Sequence, residues 1–233
     1  MKILITTSKH FASFQLALLL KNQDVLFGDN FDDFPTVKSN SLAHQMLTFC
    51  LDHQIQRVFP LQFEEVSELR KSLVLFDEFG IEIMLGADDL EDFNRFDKKA
   101  DSYAELSAGL IALGYPNQKI AIADTDGRGE LILINDEVND NIQIWNRVNS
   151  VNFNQLGKWF NQANFKPVFL YQLNDDLQSF LLLIDETGLK TLTGLPENTI
   201  EGLQTSIHGK NLKGFYHVSI ANQNILRIVN TIL

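Results

Sequence analysis

Short apolar runs alternate with helical patterns along the first part of the chain. Strands are predicted where apolar residues are bounded by polar residues, glycine or proline, at residues 3–6, 25–27, 57–60 and 81–84. Helices are predicted where apolar residues recur at three- and four-residue spacing, at residues 11–21, 42–50 and 64–79. Gly80 is expected to end the third helix in a left-handed conformation. This alternation is typical of a parallel sheet with crossover helices.

The pattern changes after Gly86 and the acidic residues 88–92. A helix is predicted over residues 98–113, and two strands at 120–123 and 131–134 form a predicted hairpin. The remaining predicted strands are 142–145, 168–172, 180–184, 215–220 and 225–229, and the remaining helices are 154–163 and 196–208. The expected fold class is therefore α/β followed by α+β, with a lobe boundary near residue 95 and largely antiparallel strands beyond it.

Composition and charge narrow the class of protein. The chain has 233 residues, 45% of them hydrophobic, and a single cysteine, Cys50, which excludes an internal disulfide. No apolar run approaches a membrane span, and polar residues 6–10 interrupt the apolar start, so we expect a cytoplasmic protein without a signal peptide. The net charge is −11, and the only adjacent basic pairs are Arg70-Lys71 and Lys98-Lys99. Nucleic acid is not an expected partner.

The turn after the first predicted strand lies where a dinucleotide-binding fold carries its glycines. Residues 6–10 contain none, although glycine is needed there for a tight turn and close approach to the pyrophosphate. This argues against NAD binding at the turn. Asp29, at the end of the second strand, is interpreted as a turn former rather than a ribose ligand.

A series of short motifs occurs in an order that resembles the ATP-grasp superfamily, and most resembles the ligase unit of the carbamoyl-phosphate synthase large subunit. The motifs are Arg57 to Pro60, Glu64-Glu65, Phe79 to Ile83, Asp97-Lys98, Leu113 to Pro116 and Asp126 to Gly129. The resemblance implies a small α/β lobe at 1–94 and an ATP-grasp domain whose two lobes span 95–166 and 167–233. It also implies that ATP and Mg²⁺ bind between antiparallel sheets and that a carboxylate is activated as an acyl phosphate.

The resemblance also implies individual site residues. Lys98 matches the first nucleotide-binding lysine of the family, its alternative being the exposed first turn of a helix. Gly127, Arg128 and Gly129 match the phosphate-covering loop, their alternative being a tight hairpin turn. Residues 169–173 match the segment that reads adenine. The adenine contacts are assigned to Tyr171, Gln172 and Leu173, and one metal ligand to Asn230.

Other positions depart from the family pattern. The second lysine and its following proline fall on Ala123 and Asp124, and Glu130 stands where a serine is expected. When Asn230 is aligned with the asparagine of the family's last strand, Ile228 stands at the place of a metal-binding glutamate and Ile232 at the place of an arginine. An acid in place of a cation opposes binding of the triphosphate, since a charge pair near a protein surface is worth up to about 4 kcal/mol.

Three hypotheses follow from this mixture. The first is an ATP-grasp-like protein with a degenerate nucleotide and Mg²⁺ site and weak or no ligase activity, serving as a binding or accessory module. The second is an active ATP-dependent carboxylate–amine ligase, with Lys98, Lys119 and Arg128 contacting phosphate. The third is an acidic module that docks a protein partner. The five histidines lack metal-ligand spacing, and with Cys50 they are interpreted as structural.

Overall fold

The computed structural model contains three sheets and seven α-helices among the residues it describes. These residues are 1–36, 41–87, 90, 93–124, 131–134, 149–151, 153–162, 167–174, 177–192, 194–195, 197–207, 210, 212–221 and 224–231. The expected fold class is confirmed, because a parallel sheet precedes two largely antiparallel ones. Within the described residues, no helix is long and apolar enough to cross a membrane.

The first sheet is parallel and has the strand order β2-β1-β3-β4. Its strands are β1 (Lys2–Ile5), β2 (Asp24–Phe27), β3 (Arg57–Phe59) and β4 (Glu82–Ile83). Its helices are α1 (Phe11–Leu19), α2 (Leu42–Asp52), α3 (Phe63–Arg70) and α4 (Leu73–Asp77). One face of the sheet packs with α1 around Leu16, and the other packs with α2 and α3 around Met46 and Leu69. Both faces are covered, as expected for short and nearly continuous apolar strands.

The single helix predicted over residues 64–79 is wrong, because the structure contains two helices there. The backbone leaves the helical conformation at Ser72, which has a φ of −121° and directly precedes α4. The amide of Ser72 donates to the carbonyl of Leu69 at 2.9 Å, which closes the end of α3. Gly80 has a φ of +69°, so its predicted left-handed conformation is confirmed.

The second sheet has the order β5-β9-β6-β7-β8. Its strands are β5 (Lys98–Ala100), β6 (Lys119–Asp124), β7 (Ile132–Ile134), β8 (Asn149–Val151) and β9 (Val168–Leu173). All of its pairings are antiparallel except the parallel pair of β7 with β8. Helices α5 (Tyr103–Ala112) and α6 (Phe153–Gln162) cover one face around Leu106 and Leu156. The predicted hairpin strands at 120–123 and 131–134 are confirmed as β6 and β7.

The prediction that a helix begins at Lys98 is wrong. Residues 98–100 form an edge strand, and α5 begins only at Tyr103. Ser102 caps that helix, because its Oγ accepts a hydrogen bond from the amide of Glu105 at 3.2 Å. The Glu105 carboxylate in turn accepts from the amide of Asp101 at 2.7 Å, so both hydrogen bonds fix the start of the helix after the charged segment.

The third sheet is antiparallel and has the order β11-β10-β12-β13. Its strands are β10 (Gln178–Asp185), β11 (Gly188–Thr191), β12 (Gly214–Ala221) and β13 (Asn224–Asn230). Helix α7 (Glu197–Ile207) covers one face through Leu203. The other face packs on α1 and the parallel sheet through Leu181, Leu183 and Phe215. One apolar core therefore joins the first sheet to the third.

The sequence did not predict β5, β8 or β11, and the strand predicted at 142–145 lies outside the described residues. The three-lobe division stays a prediction. The last predicted lobe begins at residue 167, but β9, which follows residue 166, pairs with β5 and β6 of the second sheet.

Candidate functional site

The space between the second and third sheets is where the resemblance expects a nucleotide. Side chains alternate across β9, so Phe169, Tyr171 and Leu173 share the face turned toward this space. Tyr171 is fully buried and Leu173 nearly so. The predicted adenine contacts Tyr171 and Leu173 are therefore part of an apolar core in this structure.

Ala123, at the position of the second expected lysine, is fully buried on the same face. It belongs to a cluster formed by both sheets: Ala121, Ala123, Leu131, Tyr171, Leu173, Leu177, Ala221 and Leu226. The cluster places small and apolar side chains at the position of the expected lysine. This apolar packing around Ala123 does not fit the phosphates of ATP in their expected place.

Gln172 is the third predicted adenine contact, and its hydrogen-bonding groups are engaged by the protein. Its amide donates to the Asp97 carboxylate at 2.7 Å, and its Nε2 donates to the carbonyl of Leu113 at 3.3 Å. The amide of Asp97 donates to the carbonyl of Leu170 at 2.9 Å. The chain before β5 thus continues along the edge of β9, and the backbone amide of Gln172 is already hydrogen-bonded to the Asp97 carboxylate.

Lys98 lies on the opposite face of the second sheet. It pairs directly with Leu170, whose side chain packs under α5. Its stem runs over that helix, because a Cβ built on Gly109 would lie 3.7 Å from the Lys98 Cδ. Lys98 and Tyr171 are therefore not brought together, and the nucleotide role of Lys98 stays a prediction.

Lys99 is a cation that the sequence reasoning missed at this edge. It pairs with Phe169 and so shares the face of Tyr171, although it is half-exposed and lies 3.7 Å from the Asp101 carboxylate. The alternation of side chains along a strand could have indicated it, but only once residues 98–100 are known to be a strand.

Arg227 is a second missed cation, and it is buried on β13. It pairs with Ser219, which shares one face of β12 with His217. Both of these residues are buried as well, and Ser219 Oγ lies 3.3 Å from Ser179 Oγ. Burial raises the pKa of Tyr171, and the nearby Arg227 guanidinium opposes that shift. The third sheet therefore places a buried cation, Arg227, beside the aromatic residue of the second sheet.

Asn230, the predicted metal ligand, faces the other side of the third sheet. It pairs with Tyr216, and its Nδ2 donates to the carbonyl of Ala87 at 2.8 Å. Tyr216 Oη accepts from the amide of Ala87 at 3.0 Å, and burial raises the Tyr216 pKa to about 12. These two side chains hold the connection that leads out of the parallel sheet.

A magnesium site does not fit this position. Mg²⁺ in proteins is usually held by carboxylates, whereas Asn230 supplies one neutral amide. The described part of the chain contains no group of three or more His, Cys, Asp or Glu side chains arranged to hold a metal ion. Ile228, at the place of the expected glutamate, packs in the core with α7.

Five other positions of the expected phosphate loop and last strand lie outside the described residues. They are Gly127, Arg128, Gly129, Glu130 and Ile232. Their assignments stay predictions.

The turn at the carboxyl end of β1 is closed by the protein's own carboxylate. The amide of Ser8 donates to Asp29 Oδ1 and Oδ2 at 2.8 and 2.9 Å, and Thr7 Oγ1 donates to Oδ2 at 3.1 Å. Asp29 therefore lies where an anionic ligand would meet the backbone. Its predicted role as a turn former is supported by these contacts.

Two further ionisable groups, Cys50 and Glu65, are buried in the protein. Burial raises the pKa of the Cys50 thiol to about 12, which opposes formation of a reactive thiolate. Burial also raises the pKa of Glu65, which accepts a weak hydrogen bond of 3.4 Å from the amide of Gln62 at the start of α3.

Comparison with known proteins gives distant structural likenesses only. No protein-family model matches the sequence, and a search of curated proteins finds no match. Among solved structures, the biotin carboxylase of Campylobacter jejuni, solved as a β,γ-ATP complex, is 11% identical with a TM-score of 0.48, covering 100% of this chain and 65% of that one.

Two other structures show a similar likeness. The ATP-grasp ligase PsnB, solved with minimal precursor, Mg and ADP, is 9% identical with a TM-score of 0.45, covering 98% of this chain and 88% of that one. The L-amino acid ligase from Bacillus licheniformis is 8% identical with a TM-score of 0.42, covering 98% and 66%. This chain thus spans about two-thirds of the length of the carboxylase and of the amino acid ligase. Likeness at this level does not transfer an activity, a substrate or a metal to this chain.

Proposed function

We propose that this chain is an ATP-grasp-like protein, related to the carbamoyl-phosphate synthase type of ligase, that has weak or no ligase activity and acts as a binding or accessory module. The observation that carries the proposal is the environment of Ala123. This residue is fully buried among apolar side chains at the position where the resemblance expects a phosphate-binding lysine.

Opening the inter-sheet space for a nucleotide would be costly. Leu131, Tyr171 and Leu173 would each lose part of their burial, and fully burying a large apolar side chain stabilises a protein by about 1.5–3 kcal/mol. The missing lysine removes up to about 4 kcal/mol of attraction to each phosphate charge that it would contact. Both effects act against ATP, and they add to each other.

The retained layout and the acidic charge favour a binding role. Residues 1–116 carry 10 basic and 18 acidic groups, a net charge of −8, whereas residues 117–233 carry 9 and 12, a net charge of −3. A strongly acidic lobe remains soluble and steers basic partners toward it. A protein partner is accordingly part of the proposal, and co-purification from the native cell would identify one.

Calorimetry with Mg²⁺ and ATP tests the proposal. We expect no binding tighter than about 100 μM, and no acyl phosphate trapped by hydroxylamine from a panel of carboxylates. Binding below that value together with acyl phosphate formation would overturn it.

The Lys98→Ala variant distinguishes our proposal from the alternative of an active ligase. If Lys98 contacts phosphate, this variant loses a nucleotide-induced rise in melting temperature that the parent chain shows. Under our proposal neither protein shows such a rise. Lys99→Ala is the matched control, because Lys99 is the adjacent residue on the other face of the same strand.

A further inference from the structure

Helix α1 carries an apolar face that is about half exposed in the described part of the chain. Its nine residues include no charged side chain. Leu16 and Ala12 are buried against the parallel sheet, whereas Phe11, Phe14 and Leu18 are 56%, 51% and 57% exposed. A helix that is apolar all round is normally buried all round. The exposed face is therefore better suited to contact with another protein surface than with water.

Strand β2 extends this face. It lies at one edge of the parallel sheet, and no strand in the described part of the chain pairs with its outer edge. Phe14 packs on Phe27 of this strand, with ring centroids 5.6 Å apart. Proteins usually protect such an edge with charged residues, proline or a bulge, but β2 has a charge only at its first residue, Asp24, and Val25 to Phe27 offer none of these. The edge strand and the helix form one continuous surface, which we name the α1–β2 surface.

The local charge of this surface suits a second copy of the chain. Helix α1 carries no charged side chain and β2 carries only Asp24, although the whole chain has a net charge of −11. Two copies can therefore approach through this part of the surface without the repulsion that the rest of the acidic chain would impose.

The spacing of the exposed residues is self-complementary. Positions 11 and 18 are equally far from the midpoint between residues 14 and 15. An antiparallel pair of α1 helices thus places Phe11 of one copy beside Leu18 of the other and brings the two Phe14 side chains together. The same two-fold axis makes the two β2 strands antiparallel, as required for them to pair through their open edges.

The apolar area is consistent with a stable dimer. Three large side chains that are about half exposed offer on the order of 300 Å² of apolar surface, taking 150–250 Å² for each aromatic residue. A standard interface buries about 800 Å² on each partner, a little more than half of it apolar. The helix stripe therefore supplies most of the apolar part, and the strand edge supplies backbone hydrogen bonds.

We propose that the chain forms a two-fold symmetric dimer through the α1–β2 surface, with β2 strands paired across the axis to give one eight-stranded sheet. This dimer does not depend on the proposed function, because the inter-sheet space lies elsewhere in the chain. It gives each assembly two copies of the acidic lobe, related by the two-fold axis.

Sedimentation velocity over a concentration series tests the dimer. We expect the parent chain to sediment as a dimer at 100 μM, and Phe14→Glu to raise the dimer dissociation constant by about 100-fold or more, since the two Phe14 side chains meet at the centre. Val74→Glu is the control, because Val74 is 75% exposed on α4, outside the surface, and this variant should remain a dimer. A monomeric parent chain, or a Phe14→Glu variant that stays dimeric, overturns the proposal.

Cross-linking tests the geometry independently of association strength. On mild oxidation, Phe14→Cys should form a disulfide-linked dimer and Val74→Cys should not. The only native cysteine, Cys50, is buried and gives little background. A linked dimer for Val74→Cys with none for Phe14→Cys would exclude the α1–β2 surface as the interface.

Discussion

The backbone amide of Ser8 donates to both carboxylate oxygens of Asp29, at 2.8 and 2.9 Å. This contact joins the turn after β1 to the end of β2 and gives the turn an internal anion. The Ser8 amide in this turn is already hydrogen-bonded to a carboxylate, so the turn does not need the glycines of a phosphate-binding turn. The absence of glycine from residues 6–10 is thus explained by the local structure and is not by itself a sign of lost function.

Asp29→Ala should lower the free energy of unfolding by about 1–3 kcal/mol. The change leaves the Ser8 amide and the Thr7 hydroxyl without their acceptor in a partly buried turn. Urea denaturation measures the effect, and Asp32→Ala, at an exposed aspartate in the following loop, should change stability by no more than about 0.5 kcal/mol. Equal stability of the two variants would show that the carboxylate does not close the turn.

Gly86→Ala should be strongly destabilising, whereas Gly202→Ala should be stabilising. A Cβ at Gly86 would overlap Asn230 Oδ1, and the Gly86 φ of +76° strains any other residue. Gly202 lies in α7, and a Cβ added there would meet no atom within 4 Å, so alanine should add about 0.5–1 kcal/mol.

Thermal unfolding of both glycine variants measures this contrast. A loss of about 1–3 kcal/mol or more is expected for Gly86→Ala, because both the backbone and Asn230 must shift. A neutral effect would mean that Asn230 leaves Gly86 readily, and that the asparagine is less firmly held by Ala87 than the hydrogen bond indicates.

The parallel sheet could be predicted from the sequence because the pattern that defines each strand and helix lies within that segment. The two inner strands, β1 and β3, are short runs buried on both faces, and each intervening helix has its own apolar spacing. The strands β5, β8 and β11 could not be predicted in this way. The lysines of β5, for example, are extended because β9 pairs with them, and that partner lies about 70 residues away.

The candidate site was harder to predict for the same reason. The residue type at position 98 indicates a cation, but its face depends on pairing with Leu170. Arg227 could not be predicted as a buried cation, because its burial comes from packing between sheets that are distant in sequence. The sequence shows that position 123 is neutral, but its burial also depends on packing between the sheets.

Glu186→Gln should destabilise the protein at neutral pH and have a smaller effect in acid. Arg57 Nη2 donates to the Glu186 carboxylate at 2.8 and 2.9 Å, while its Nε donates to Glu82 at 2.7 Å, and Lys213 also contacts Glu82. The hydrogen bond from Arg57 holds the pKa of Glu186 below its ordinary value. The carboxylate therefore contributes fully above about pH 4.5, and its contribution is lost as the pH falls through the lowered native pKa.

The measurement is the unfolding free energy of both proteins between pH 3 and pH 7. Glu186 is half-exposed, so we expect a difference of about 0.2–1 kcal/mol at pH 7 that decreases as the pH falls below about 4.5. Glu201→Gln, at an exposed position on α7, should match the parent chain at every pH. A difference between parent and Glu186→Gln that is independent of pH would mean that the charge of Glu186 does not contribute.

Ala123→Lys should destabilise the protein rather than restore a nucleotide site. The new ammonium group would enter a cluster of apolar side chains with Leu226 and Ala221 of the facing sheet, and burying an unpaired charge is far more costly than burying a methyl group. We expect a loss of more than about 3 kcal/mol in urea unfolding, against at most about 0.5 kcal/mol for Ala112→Lys, at an exposed position in the last turn of α5. If Ala123→Lys unfolds like the parent chain and gains stability from Mg²⁺ and ATP, the space between the sheets is open to a nucleotide and the apolar packing is not what excludes one.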